Sequence, residues 1–309
     1  MTGPLVLKLG GELLESATQR DRIAAFVSSL ALARPVVVVH GGGRAVDAAL
    51  DLRGIAPKKI DGLRITDAPT RDVVVSVLGG LSNTELVAAC VSRGVLAVGL
   101  TGVDAGLGQA IRSSAHRTAA GDVVDLGLVG DPVETDTSLL ELLLVNGYVP
   151  VVASLGLEAE QAASFEANDL TSADRLPTAQ VLNINADVMA CRIAAELGGA
   201  DLVIAGATAG VFDAAGKTIP SLDLAAIDAL IESGTATAGM IAKLSACRAA
   251  LVDGVTTVRI VSGREFDGTR GLDAAPGTTL RADPTLGRST GDHAATAANS
   301  DAHIGSDRE

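Results

Sequence analysis

The chain has 309 residues, is 48% hydrophobic and carries a formal net charge of -13. That acidity weighs against a nucleic-acid partner gripped through its phosphates, and one Tyr, four Phe and no Trp leave no stacking platform for single strands. The apolar content suffices for a sizeable core of Val, Leu, Ile and Ala, in one large domain or two lobes.

The start, Met1-Thr2-Gly3-Pro4, lacks the basic region of a signal peptide. An apolar run from Pro4 to Leu7 ends in Lys8-Leu9-Gly10-Gly11-Glu12, and a helix is predicted from Ala17 to Leu32. Bare backbone and a lysine at a strand-to-helix turn suit a phosphate, although an ordinary turn with an exposed lysine has the same pattern. The second unit repeats this logic. Val36-Val37-Val38-Val39 is a β-branched run that reads as a strand covered on both faces, followed by His40-Gly41-Gly42-Gly43 and a helix from Arg44 to Leu52. Two such turns side by side at the carboxyl ends of neighbouring strands form a ligand site.

Lys58 to Asp67 is polar and short-stranded and contains Arg64. Helices are predicted near Pro69–Leu78 and Ser82–Arg93, and a third core strand over Leu96–Leu100. A hairpin region spans Ala110 to Val129, with Asp122 to Gly130 its clearest part. Thr135 caps a helix that runs to Asn146, and the next strand is Tyr148 to Ala153. Ser154 to Ala179 has no sustained period and reads as a long loop or insertion. The second half brings a strand before Asp187, a helix over Val188–Leu197, a strand over Asp201–Ala205 and a small-residue turn at Gly206–Val211. Helices follow at Leu222–Ser233, capped by Ser221, and from Ala238 to Leu251 with Lys243. Strands are read at Thr256–Val261 and Pro276–Leu280, then a disordered tail at 284–309. Strands alternate with helices, which predicts a three-layer α/β/α sandwich around a mostly parallel central sheet. Cys90, Cys191 and Cys247 fall in apolar helical patterns without metal-ligand spacing and read as buried thiols in a reducing compartment. No apolar run reaches about 18 residues, so no membrane span is expected and the localisation is read as cytoplasmic.

Lys8, Gly10, Gly11, Gly41 to Gly43, Asp187 and Lys243 could meet at one sheet edge. Two lysines, a carboxylate and two glycine turns suit phosphoryl transfer, which needs positioning and charge neutralisation more than covalent chemistry by the protein. An aspartate between the lysines would hold both ammonium groups. Arg64 and Asn183 could grip a carboxylate, the arginine through a bidentate fork. Each has a plainer alternative: Lys243 as a solvated helix residue, Asp187 as a helix cap, Asn183 as a turn residue.

The chain resembles the amino acid kinase family from about Pro4 to Leu280, most closely its members acting on N-acetyl-L-glutamate. The resemblance rests on Lys8-Leu9-Gly10-Gly11, His40-Gly41-Gly42-Gly43, Gly62-Leu63-Arg64-Ile65-Thr66, Asn146 to Val152, Asn183-Ile184-Asn185-Ala186-Asp187 and Ala238 to Cys247. It implies transfer of the γ-phosphoryl of ATP, with Mg2+, to the side-chain carboxylate of N-acetyl-L-glutamate in arginine biosynthesis. Lys8 and Lys243 would stabilise the phosphoryl group and Asp187 would organise both. Gly10, Gly11, Gly41 and Gly42 would supply N–H groups to phosphate and substrate carboxylate. Arg64 and Asn183, with Asn185 beside them, would bind the amino acid, and Gly210 and Met240 would lie at the nucleotide. No protein metal ligands are implied. Residues 1–179 would form the lobe for amino acid binding and dimerisation, and 180–283 the nucleotide lobe. Small-molecule substrates and a homodimer are the expected partners. Only seven residues precede Lys8, so a dimer without arginine feedback through an N-terminal helix is expected.

Two departures stand out. Val103 replaces a lysine of the family's Gly-Leu-Ser-Gly-Lys-Asp turn, and Ala207 replaces the aspartate of its Thr-Asp-Val-x-Gly-Val turn. The alternatives are a kinase for a related acylated amino acid, such as N-succinylglutamate or a carrier-linked aminoadipate, and a non-catalytic nucleotide- or amino-acid-binding regulator.

Overall fold

A computed structural model describes residues 3–113, 115–118, 121–159, 180–233, 238–269 and 271–282. In chain order they form β1 (Leu5–Leu9), α1 (Ala17–Ala31), β2 (Val36–His40), α2 (Gly43–Leu52), a hairpin of β3 (Lys59–Ile60) and β4 (Leu63–Arg64), α3 (Ala68–Val75), α4 (Asn83–Ser92), β5 (Ala97–Thr101) and β6 (Gln109–Arg112). A second hairpin of β7 (His116–Arg117) and β8 (Val123–Val124) precedes β9 (Val129–Glu134), α5 (Ser138–Val145), β10 (Val149–Ala153), β11 (Leu155–Glu158) and β12 (Val181–Ile184). Then come α6 (Ala186–Glu196), β13 (Asp201–Gly206), β14 (Ser221–Leu222), α7 (Leu224–Ser233), α8 (Ala238–Val252), β15 (Thr257–Ser262) and β16 (Gly277–Leu280).

Eight strands make one sheet in the order β14-β16-β15-β13-β1-β2-β10-β5. Every pairing from β15 to β5 is parallel, and β16 runs antiparallel to β15. Side chains alternate across a strand, and here both faces are covered, which is why β1 and β2 read as continuous apolar runs. Leu5, Leu7 and Leu9 pack with Ile23 and Phe26 of α1 and with Leu86 and Cys90 of α4. Val6, Val37, Val39 and Val152 face the opposite layer, with Met189 and Ile193 of α6 and Leu244 and Leu251 of α8. The expected three-layer α/β/α sandwich is the observed one. A closed four-stranded barrel, β11-β12-β9-β6, stands beside the sheet.

Several local expectations are corrected. The helices expected at Pro69–Leu78 and Ser82–Arg93 are one helix, Ala68–Ser92, carried through a π-helical stretch at Ser76–Ser82. A π turn takes in one residue more than an α turn, so Gly79-Gly80 widens the helix without ending it. The same helix is long and apolar enough to cross a membrane by length and composition, although polar residues interrupt its apolar run. Here it packs on the sheet, with Val73, Val74, Leu78, Leu86 and Cys90 buried. Ala97–Thr101 is the sheet's edge and only partly buried, not a core strand. Thr135 does not cap α5, whose first helical residue is Ser138. Asp223, not Ser221, caps α7, by accepting from the Ala226 N–H at 2.8 Å, because Ser221 is drawn into β14. The supposed loop after Ser154 begins with β11, which closes the barrel. Its remainder, 160–179, and the tail expected at 284–309 lie outside the described residues.

Candidate active site

Lys8 breaks the apolar run of β1. By alternation it shares a face with Val6, so it points toward the layer of α6 and α8. There it meets Asp187 on the first turn of α6: Lys8 Nζ stands 2.8 Å from Asp187 Oδ1. Lys243, on α8, donates from Nζ to Asp187 Oδ2 at 2.6 Å. Asp187 is not the cap of its helix. Asn185 is, accepting through Oδ1 from the N–H groups of Asp187 at 2.8 Å and Val188 at 3.4 Å. Both oxygens of Asp187 are thereby left to the lysines.

Burial drives the Lys8 ammonium down toward the neutral amine, but Asp187 and then Glu12 more than offset it and leave its pKa above the usual lysine value. For Asp187 burial favours the neutral acid. The charges of Lys8 and Lys243 overcome it and hold the carboxyl well below the usual carboxylate range. The site therefore carries two cations around one anion at neutral pH.

The two glycine turns are in contact. A Cβ on Gly11 would lie 2.6 Å from Gly42 Cα, so the backbones approach as only glycine permits. A cleft of about 310 Å³ opens above them. Lys8, Gly10, Gly11, Gly41 and Gly42 line it on one side. Arg64, Asn183, Asn185 and Asp187 line it from the other strands and from α6. The Gly10 N–H is not free for a ligand, because it continues the ladder to Ala205 O at 2.8 Å. This corrects the expectation that Gly10 donates to phosphate.

Arg64 is almost fully buried. Its Nη2 donates to Gly43 O at 3.0 Å and lies 2.6 Å from Asp47 Oδ1, which Lys59 also approaches through Oδ2 at 2.5 Å. Arg64 Nη1 is buried with no partner among the described residues, an orphaned donor beside the cleft that fits an incoming anionic oxygen. Asn183 donates to Thr66 Oγ1 at 3.3 Å.

Gly210 and Met240 are not in the cleft lining. Gly210 has φ +99 and sits where a Cβ would fall 2.5 Å from Thr278 Oγ1; the next residue, Val211, donates its N–H to that oxygen at 2.8 Å. Met240 packs on the core of the α6–α8 layer. Sequence reasoning missed Glu12 as a clamp. Its Oε1 accepts from the Ala207 N–H at 2.9 Å and so ties the first turn to the loop after β13. Asp47 was missed too, and nothing in its local sequence singles it out among the acids of an amphipathic helix.

A part-buried anion held between two cations, beside main-chain N–H groups and an unpartnered guanidinium nitrogen, can stabilise charge moving between two anionic ligands. A profile of the amino acid kinase family matches residues 3–262. The chain belongs to the amino acid kinase family. It is 38% identical over 278 residues to an acetylglutamate kinase of Solibacter usitatus, covering 90% of this chain and 94% of that one. It is 39% identical over 287 residues to an acetylglutamate kinase of Sorangium cellulosum, at 90% and 93% coverage. Among solved structures it is similar to the N-acetylglutamate synthase of Neisseria gonorrhoeae bound to coenzyme A and N-acetyl-glutamate, with a TM-score of 0.71 at 23% identity. That match covers 91% of this chain and 60% of the synthase. A carbamate kinase of Giardia is similar too, with a TM-score of 0.61 at 17% identity over 92% of this chain and all of that one. These structures agree on the amino acid kinase fold.

The two departures from the family's pattern have local accounts. Val103 packs, partly buried, against the small core of α2 and α3. Its turn is closed by Asp104, whose Oδ2 accepts from the Thr101 N–H at 2.6 Å. Ala207 offers its main-chain N–H to Glu12, so the loop is held without a side chain of its own.

Proposed function

We propose that the protein transfers the γ-phosphoryl of ATP to the side-chain carboxylate of N-acetyl-L-glutamate, giving an acyl phosphate for arginine biosynthesis. The observation that carries this reading is the pair of ammonium groups closed on Asp187 beside two touching glycine turns. The acceptor carboxylate is already ionised at neutral pH, so no general base is needed. Lys8 and Lys243 stabilise the charge on the phosphoryl group in transit, and Asp187 keeps them at fixed positions. Gly11, Gly41 and Gly42 present N–H groups to phosphate and substrate, and Arg64 Nη1 with Asn183 takes the α-carboxylate. Asn185 holds the start of α6 so that Asp187 faces inward. Gly210 and Met240 shape the nucleotide side.

Magnesium would arrive on the nucleotide and neutralise part of its phosphate charge. Among the described residues no group of three or more His, Cys, Asp or Glu is placed to hold a metal ion. Residues 1–179 form the amino acid lobe and supply a homodimer contact, residues 180–283 form the nucleotide lobe, and the enzyme works in the cytoplasm.

The test is ATP turnover by the purified protein with N-acetyl-L-glutamate, trapping the acyl phosphate as its hydroxamate with hydroxylamine. N-succinyl-L-glutamate and N-acetyl-L-aspartate run beside it. Hydroxamate from N-acetyl-L-glutamate is expected. Turnover confined to another acyl amino acid would keep the chemistry and move the substrate. Nucleotide binding without turnover of any of the three would sink the N-acetyl-L-glutamate reading and favour a carrier-linked substrate or a non-catalytic regulator.

A further inference from the structure

His40 closes β2 and leads into Gly41-Gly42-Gly43. It is completely buried beneath the turn, and both ring nitrogens have partners. Nε2 lies 3.1 Å from Asn83 Nδ2, and Nδ1 lies 3.1 Å from Gly41 O. The orientation of the Asn83 amide follows from its other neighbours, because its nitrogen also faces Val151 O at 2.9 Å and Leu100 O at 3.3 Å. Carbonyls only accept, so the atom among them is the amide nitrogen, sharing its two N–H bonds over three acceptors. His40 Nε2 must then accept. The proton of the neutral ring sits on Nδ1 and is donated to Gly41 O.

The Gly41–Gly42 peptide is trans, as are all described peptide bonds. In a trans peptide the C=O and the following N–H point in opposite directions. With the Gly41 carbonyl drawn down onto the buried ring, the Gly42 N–H is turned the other way, to the side on which Gly11, Gly41 and Gly42 line the cleft. A peptide between two glycines has no side chain of its own to hold that orientation.

We propose that His40 is a positioning residue: its Nδ1–H locks the Gly41–Gly42 peptide so that the Gly42 N–H is aimed at the anionic oxygens of the bound substrate. The identity of that substrate rests on the function proposed above. Asn83 is the anchor of the device. It opens α4 directly after the π-helical stretch, and Leu78 and Ser82 of that stretch lie against Gly42, the leucine methyl 2.7 Å from where its Cβ would be. The widened helical turn and the imidazole hold the glycine turn from two sides. This assigns a role to the π-helical stretch: it brings Asn83 and Leu78 to the same glycine turn.

Two variants separate the links of the ring. Asn at position 40 places an amide nitrogen near the site of Nδ1 and keeps a donor for Gly41 O. Gln places its polar end near the site of Nε2, keeps the contact with Asn83 and loses that donor. His40→Asn should keep kcat/KM for N-acetyl-L-glutamate within about threefold of wild type, whereas His40→Gln should lose about 100-fold, as for removal of one main-chain donor to a developing anion. KM for ATP should hold in both. Crystal structures of the two should show the Gly41 carbonyl in place in the first and rotated in the second. Equal losses with an unrotated peptide would overturn the proposal. A third measurement needs no variant and survives any failure of the variants to fold: long-range 1H–15N correlation on the wild-type protein. It should find the His40 proton on Nδ1, and a proton on Nε2 would end the argument. If wild-type protein does not turn over N-acetyl-L-glutamate, the substrate reading fails, while the tautomer and the peptide orientation still decide this one.

Discussion

The cleft and the loop that follows β13 are built from different materials. At the cleft, cations are seated on fixed anions: Lys8 of β1 and Lys243 of α8 on Asp187 of α6, and Arg64 and Lys59 of the β3–β4 hairpin on Asp47 of α2. Outside the cleft lining, the loop after β13 from Gly206 to Val211 carries no charged side chain. It is held through its main chain, by Glu12 accepting from Ala207 and by Val211 donating to Thr278. The first is an electrostatic template, set before any ligand arrives. The second is a shaped backbone, which suits a ligand that brings its own charge and its own cation. Changes in the two regions should therefore fail in different ways, the first in turnover and amino acid affinity, the second in loop geometry and nucleotide affinity.

The hardest test of that contrast is Asp187→Asn. It leaves the buried Lys8 ammonium and the part-buried Lys243 ammonium without the carboxylate that opposes their desolvation, so Lys8 is pushed toward the neutral amine. The expected loss in kcat is about 100- to 1000-fold. A stability loss of about 3–5 kcal/mol in urea unfolding should accompany it, as for a buried ion pair deprived of one partner. A folded variant with nearly normal turnover would show that the template is not electrostatic.

Arg64→Ala should come next. Losing a charged donor to a carboxylate corresponds to about 10- to 100-fold in KM for the acyl amino acid, with kcat and KM for ATP little changed. Arg64→Lys should restore little, because an ammonium cannot hold Asp47 and Gly43 O while also presenting a second donor from a planar fork. A rise in KM for ATP instead would take Arg64 out of the amino acid site and put it at the nucleotide.

The contrast also explains what could be read from the chain and what could not. Val36 to Val39 announce a doubly covered strand because both faces of the sheet really are packed. Lys8 stands out because a charge inside such a run has to be answered by another, and Asp187 and Lys243 complete the set. Those signals are local in sequence. The roles of Asn185, Asp47 and Glu12 are not. Each depends on which neighbour the fold delivers: an open helix start, a pair of cations from the β3–β4 hairpin, a bare amide at Ala207. The π-helical stretch was invisible for a related reason. Gly79-Gly80 looks like a break, and only the close packing of Gly79 on Thr101 and Leu155, at 3.2 and 3.3 Å from its would-be Cβ, shows why the helix continues through it. The barrel was missed because β11 and β12 pair across the stretch read as a loop.

Two glycine substitutions set the two regions against each other directly. Gly11→Ala drives a methyl into the Gly42 backbone and must part the two turns. A displacement of about 1 Å there should cost up to about 100-fold in kcat/KM. Gly210→Ala instead forces a left-handed φ of +99 and crowds the Thr278 hydroxyl, so it should lower stability by about 1–2 kcal/mol and raise KM for ATP, with KM for the amino acid unmoved. Identical kinetic signatures from the two would dissolve the distinction.

The smallest effect separates a buried neutral group from a buried charged one. Burial drives the His40 pKa down to about 4, only partly opposed by the Gly41 carbonyl. The unfolded chain binds that proton near pH 6.5 and the folded one does not until near pH 4, so stability is complete above about pH 7 and declines as pH falls through this window. At pH 5.5, one unit below the unfolded value, the loss should be about 1.4 kcal/mol. Asp187 works in the same direction but in a lower window. Its carboxyl is held below its unfolded value, so its contribution is intact above about pH 4 and is lost only at stronger acidity. Urea midpoints from pH 7.5 to 5.5 should therefore drift down in wild type and flatten in His40→Asn. A slope that survives the substitution would assign the drift to other groups and remove the buried neutral imidazole from the account of the amino acid side.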